Sequence, residues 1–104
     1  MRELAKRFQA ADHKEKHWAK DPTAKELLDY AYNGGMPWDK DRLEKIGEVM
    51  KKPISGLSLD EVYLYLTTII GRDRICEGLY DRMIQNGTIS SLLERYLVLT
   101  ADEQ

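Results

Sequence analysis

The charged residues that open the last third of the chain are the ones best placed to do chemistry. Asp73, Glu77 and Asp81 follow one another at intervals of four, with Arg72 and Arg74 among them. Residues four apart share a helix face, so the carboxylates form one acidic stripe. Two interpretations are open. Either Asp73 caps a helix and the arginines tie helix ends together, or Arg74, Glu77 and Asp81 form an exposed recognition patch.

Other residue types with chemical potential are isolated in the sequence. His13 and His17 have the spacing of a metal-ligand pair, but the sequence offers no third ligand, so a solvated helix face is expected. Cys76 falls on the apolar side of its expected helix, which predicts a buried and inert thiol. One acidic helix face rarely supplies the converging oxygens that a hard cation needs. The sequence therefore predicts no catalytic residue, no metal and no cofactor.

Aromatic residues suggest a second kind of recognition surface. The chain has six tyrosines and two tryptophans. Tyr65 falls off the apolar stripe of its expected helix, and Trp38 lies at the main loop. Exposed aromatic residues are typical of protein interfaces. We therefore expect Trp38 and Tyr65 to join Arg74, Glu77 and Asp81 in binding a protein partner.

Length and composition suit one domain over residues 1–104. The chain is 42% hydrophobic and 33% charged, which is typical of a globular protein. Its longest apolar run falls far short of the about 20 residues that span a bilayer. The first residues lack the apolar core of a signal peptide, and a single cysteine excludes an internal disulfide. We therefore expect a cytoplasmic protein that does not enter a membrane.

The elements that must position these residues are helices. Apolar residues recur at helical spacing in six segments, and no segment alternates as a strand would. The sequence therefore predicts an all-α fold, a compact orthogonal bundle of five to six short helices. Asp21 before Pro22 predicts one helix start, and Ser58 with Glu61 forms a capping box at another. Further starts are expected at Asp39, directly after Gly71 and at Thr88.

The first 20 residues differ from the rest. They predict a helix from Arg2 to about Lys20 whose narrow apolar seam consists of Leu4, Phe8, Ala11 and Trp18. Such a seam is typical of a helix that packs separately on the body, contacts a partner or pairs with a second copy. The segment also carries six basic and three acidic side chains, which would favour contact with phosphates.

A signature in the last third resembles a known family. It comprises the run Arg74-Ile75-Cys76-Glu77-Gly78, followed by Ile84, Gly87, Ile89, Leu92 and Arg95. It is similar to the C-terminal signature of an uncharacterised bacterial and phage family, a domain of unknown function. Ile75 stands where that signature has an aromatic residue, and Tyr96 replaces its final leucine. The resemblance implies a small helical, cytoplasmic protein and implies no known catalysis.

These observations favour a small non-enzymatic interaction or regulatory protein that binds a protein partner or itself. The alternative is weak nucleic-acid binding through the basic first helix. The net charge of −2 favours neither function.

Overall fold

The computed structural model describes residues 1–37 and 44–101, and within them all regular structure is helical. Six α-helices follow one another along this part of the chain, which confirms the all-α prediction. They are α1 (Arg2–Ala10), α2 (Pro22–Tyr32), α3 (Ile46–Lys51), α4 (Leu59–Arg72), α5 (Leu79–Gln85) and α6 (Thr88–Leu99). Single 3₁₀ turns occur at Trp18–Lys20 and Ile54–Gly56. None of the described helices has the length and apolar character that crossing a bilayer requires.

The core forms where the six helices meet around α4. This helix contacts α2, α3, α5 and α6, while α1 packs between α2 and α6. Its apolar stripe is fully buried at Val62, Leu66 and Ile70 because these positions recur every four residues. Tyr80 brings α5 into the core, and its hydroxyl donates a hydrogen bond of 2.8 Å to the carbonyl of Ala24 in α2. Burial raises the pKa of Tyr80 well above its ordinary value, so the phenol stays neutral.

Two helix starts follow the capping signals in the sequence. The Asp21 carboxylate accepts hydrogen bonds from the backbone of Thr23 and Ala24, and Pro22 is the first residue of α2. Ser58 and Glu61 form the reciprocal capping box that begins α4. The expected cap at Asp39 lies outside the described residues. Thr88 was wrongly expected to cap α6, because the Thr88 N–H instead donates to the side chain of Asn86.

The first helix is half as long as the sequence predicted. It ends at Ala10, and Ala11 already has the extended backbone of ψ 151°. His13 then adopts a left-handed φ of 50°. The imidazole of His13 lies 2.7 Å from the carbonyl of Phe8. A side chain therefore contacts one of the last carbonyl groups of α1, which have no partner within the helix. Residues 11–20, here called the strap, therefore cross to α2 without a continuous helix.

The boundary between α4 and α5 was also predicted wrongly. Gly71 does not end a helix, since α4 continues through it to Arg72. The break follows at residues 73–78 and closes at Gly78, which has a φ of 85° that favours glycine. A glycine inside a helix costs only about 1 kcal/mol relative to alanine, which the burial of Ile69 and Ile70 offsets. Cys76 lies in the break and is exposed, contrary to the expected burial.

Candidate interaction surface at the turn between α4 and α5

The turn at residues 73–78 is held by hydrogen bonds at both ends. The N–H groups of Ile75 and Cys76 both donate to the carbonyl of Arg72, at 3.0 and 2.7 Å. At the other end, the Asp73 carboxylate accepts a hydrogen bond of 3.0 Å from the N–H of Tyr80, in the first turn of α5. Asp73 thus accepts a hydrogen bond from a backbone N–H that has no partner within α5. One interpretation of the sequence predicted this role for Asp73, but α5 begins at Leu79 and not directly after Gly71.

Ile75 is the most exposed large apolar side chain on the described surface. Its exposed fraction is 92%, compared with 60% for Val98 and 38% for Met50. The sequence interpretation missed Ile75 because it placed this residue in a continuous helix. Its neighbour Cys76 is also exposed, and Arg82 places a guanidinium nitrogen 3.5 Å from the Cys76 sulfur.

Arg74 connects the turn to the end of α2. Its guanidinium carbon lies 4.5 Å from the centroid of the Tyr32 ring, which is a cation–π geometry. Tyr32 is 37% exposed, and its hydroxyl donates a hydrogen bond of 3.3 Å to the carbonyl of Ile70. We call the exposed side chains of Tyr32, Arg74, Ile75 and Glu77 the turn surface. It combines an apolar residue, an aromatic ring and both signs of charge.

The structure brings only some of the predicted partner-binding residues together. Arg74 and Glu77 are both exposed on the turn. Asp81 is half-buried in α5, where its carboxylate accepts a hydrogen bond of 2.8 Å from the N–H of Trp18. Tyr65 is half-buried in α4 and packs against the core. Trp38 lies outside the described residues.

The predicted self-association seam does not form one exposed face. Leu4 and Phe8 are 6% and 0% exposed, so their burial serves the core of this chain. Ala11 lies beyond the end of α1, and Trp18 is in the strap, where its ring packs 6.3 Å from the ring of Tyr80. The four residues therefore lie on α1 and on the strap, where Leu4, Phe8 and Trp18 pack within or against the core.

The strap is fastened to α5 and α2 by polar side chains. The Gln85 amide donates hydrogen bonds to the carbonyls of His13 and Glu15, at 3.2 and 3.0 Å. The two ring nitrogens of His13 lie 2.6 Å from the Asp21 carboxylate and 2.7 Å from the Phe8 carbonyl. Both partners are oxygen atoms that accept hydrogen bonds, so the two ring nitrogens are both engaged within the chain. His13 thus links the end of α1 to the start of α2.

The pKa of Asp21 reflects its role as a shared acceptor. Burial opposes its ionisation, but hydrogen bonds from His13, Thr23 and the Ala24 N–H outweigh burial and lower its pKa. The histidines do not form a metal pair on one helix. Within the described residues, no cluster of three or more histidine, cysteine, aspartate or glutamate side chains has a metal-binding arrangement.

Two cations of the basic first helix are engaged within the chain. Arg2 donates to the Leu97 carbonyl at 2.9 Å and to the Thr100 hydroxyl, which fastens α1 to the end of α6. Arg7 forms an ion pair of 2.8 Å with Glu26 in α2. These contacts give both arginines a structural role.

The fold and this surface define a small all-α bundle in which the strap connects α1 to α2 and a hydrogen-bonded, exposed turn connects α4 to α5. Residues 1–102 match a family of unknown function (DUF6508), and the chain belongs to that family. No curated protein and no solved structure matches the chain.

Proposed function

We propose that this protein is a non-catalytic interaction protein that binds a protein partner through the turn surface. The observation that carries the proposal is the 92% exposure of Ile75 on a turn with hydrogen bonds at both ends. Burial of an isoleucine side chain contributes about 1.5–3 kcal/mol. Because the turn is already ordered, binding would lose little of this energy to loop ordering.

The neighbours of Ile75 support the same function. Arginine and tyrosine are enriched among the residues that dominate binding energies at interfaces. Arg74 is held over the Tyr32 ring, and no carboxylate of the described residues lies within ion-pair distance of it. Its charge is therefore available to a partner. The complementary partner surface would have an apolar pocket for Ile75 and a carboxylate for Arg74.

The engagement of His13 within the fold supports the non-catalytic part of the proposal. A histidine acts as a general base only when one ring nitrogen can accept a proton from a nucleophile. Both ring nitrogens of His13 lie within hydrogen-bond distance of oxygen atoms of the chain, which supports a structural role for this residue. We also propose a cytoplasmic location, because a reducing compartment would keep the exposed thiol of Cys76 unpaired.

Affinity capture with three forms of the chain tests the proposal. The wild type is compared with Ile75→Asp on the turn and with Met50→Asp on α3, a matched charge insertion at another exposed apolar residue. A partner captured by the wild type and Met50→Asp, but not by Ile75→Asp, would support the turn surface. The purified partner should then bind Arg74→Ala about tenfold more weakly than wild type. Partners retained by all three forms would contradict the proposal.

The same variants distinguish a second copy of the chain from a different partner. Sedimentation at increasing protein concentration would detect a wild-type dimer. If Ile75→Asp is monomeric under the same conditions, the partner of the turn surface is the chain itself. A dimer that persists in Ile75→Asp would exclude the turn surface as its interface.

Nucleic-acid binding through α1 is the competing function, and Arg2 and Arg7 already contact other parts of the chain. Lys6 remains exposed on α1. Titration with duplex DNA at about 50 and 200 mM salt tests this alternative, since phosphate contacts weaken steeply over this range. Salt-sensitive binding that Lys6→Ala weakens would favour it over protein binding.

A further inference from the structure

A groove runs between α6 and the 3₁₀ turn at Ile54–Gly56. It encloses about 380 Å³ and is lined by Ile54, Ser55, Ser91, Glu94, Arg95 and Val98. That volume lies within the range of sites that hold small ligands. Both elements are separate from the turn surface, so a ligand site in this groove does not depend on the proposed function.

The groove follows one stripe of α6. Ser91 and Arg95 are one turn apart, and Val98 lies at the next turn. The seven steps from Ser91 to Val98 span about 10 Å along the helix axis. An extended peptide rises about 3.3 Å per residue, so about three residues would match this length. Serine hydroxyls on both walls can exchange hydrogen bonds with a peptide backbone.

Arg95 presents an unused cationic face to the groove. Its Nε donates a hydrogen bond of 2.8 Å to the carbonyl of Leu57, which fixes the plane of the half-buried guanidinium. Within the described part of the chain, neither terminal nitrogen of Arg95 has a hydrogen bond or an ion pair. A guanidinium fixed in this way can receive a carboxylate in a bidentate arrangement.

The other groove residues narrow the chemistry of the ligand. Val98 is 60% exposed and Ile54 forms part of the opposite wall, so an aliphatic group would be buried between them. Glu94 lies next to Arg95 in the lining, and its charge disfavours a doubly charged phosphate more than a singly charged carboxylate. We propose that the groove binds the C-terminal carboxylate of a peptide whose last side chain is aliphatic.

Nuclear magnetic resonance titrations of the full chain test this proposal. The first probe is a pool of acetylated tripeptides that end in Val, Leu or Ile with a free carboxylate. The second is the same pool with C-terminal amides. The free acids should shift the resonances of Ser91, Arg95 and Val98, and the amides should bind at least about tenfold more weakly, because they cannot form the charged pair. Equal binding of both pools, or no shift at these residues, would overturn the proposal.

Two variants and a third probe make the result specific. Arg95→Gln should abolish the preference for the free acid, but it also removes the bond to Leu57. Val98→Asp changes an exposed position, so it should retain the fold and lose binding, while Met50→Asp should bind as wild type does. Unchanged peptide binding by a folded Val98→Asp protein would refute the site. Decanoate is the third probe. If decanoate binds more tightly than the peptides, the ligand of the groove is a fatty acid and the peptide proposal is overturned.

Discussion

The contact between His13 and Asp21 should be the strongest polar link between α1 and α2. The side chains of His13 and Asp21 are only 13% and 7% exposed, so solvent screens the pair little. A hydrogen bond to a charged group contributes about 1.5–3 kcal/mol to stability. We expect His13→Asn and Asp21→Asn each to lower the free energy of unfolding by about 2–3 kcal/mol.

The two substitutions limit the effects on the backbone and on the start of α2. Asparagine tolerates the left-handed backbone of His13, whose φ is 50°, so His13→Asn removes the ring without adding strain. At position 21, asparagine keeps an oxygen that can accept from Thr23 and Ala24 at the start of α2. The remaining loss in Asp21→Asn is therefore the charged contact, and in His13→Asn it also includes the contacts with the Phe8 carbonyl and ring.

A double-mutant cycle measures the coupling between the two residues. Urea unfolding followed by circular dichroism and by tryptophan fluorescence gives the free energy of unfolding of each form. Because each single variant leaves the other partner unpaired, the double variant should cost about 2 kcal/mol less than the sum of the single variants. A double variant that equals the sum within about 0.5 kcal/mol would refute a stabilising contact between His13 and Asp21.

The pH dependence of stability gives an independent test of the same site. The pKa of Asp21 is lowered from its ordinary value of 3.8 in the folded state. Its stabilising contribution is therefore present above pH 3.8 and is lost as the pH falls through the folded-state pKa. Between pH 5 and pH 2, the wild type should lose more stability than Asp21→Asn. Parallel curves for the two proteins would contradict this expectation.

Three further predictions use single sites. The Thr68 hydroxyl is buried without a hydrogen-bond partner in the described chain, so Thr68→Val should raise the free energy of unfolding by about 1 kcal/mol. Thr67→Val is the control and should not raise it, because the Thr67 hydroxyl donates a hydrogen bond to a carbonyl. The Lys52 ammonium helps to lower the pKa of Glu61 from 4.5 to about 2, so acid should destabilise the wild type more than Glu61→Gln across this interval. Gly87→Ala should lower the free energy of unfolding by about 1–2 kcal/mol in urea, because the φ of residue 87 is 85°. An added Cβ would meet no other atom, so a cost near zero would contradict backbone strain as the cause.

The parts of the fold that were predictable depend on residues close together in sequence. The cap at Asp21 and the box at Ser58 and Glu61 each involve partners within three residues, so their local pattern determines the helix start. The strap that follows α1 is held instead by Gln85, which contacts Glu15 from 70 residues away. Spacing alone cannot reveal that contact, so the helical pattern was extended wrongly beyond Ala10.

Ile75, the apolar residue of the turn surface, was missed for a related reason. A glycine in sequence can lie inside a helix or end a turn in the left-handed region, and Gly71 and Gly78 represent these two outcomes. The difference depends on whether the residues before the glycine are buried by helices from elsewhere in the chain. Arg74 and Glu77 could be identified as exposed from the charge pattern, whereas Ile75 could not, because an isoleucine is expected inside.

The burial of Tyr80 explains why residue 75 is exposed at this turn. In a continuous helix, Cys76 and Tyr80 would be four residues apart and would share one face. The break at residues 73–78 separates them, so that Tyr80 reaches the carbonyl of Ala24 while Cys76 and Ile75 face solvent. Because Ile75 is 92% exposed, it adds little to the core, and the break would form equally well with a polar residue there. Ile75 is therefore available for the partner contact proposed above, and the fold does not depend on it.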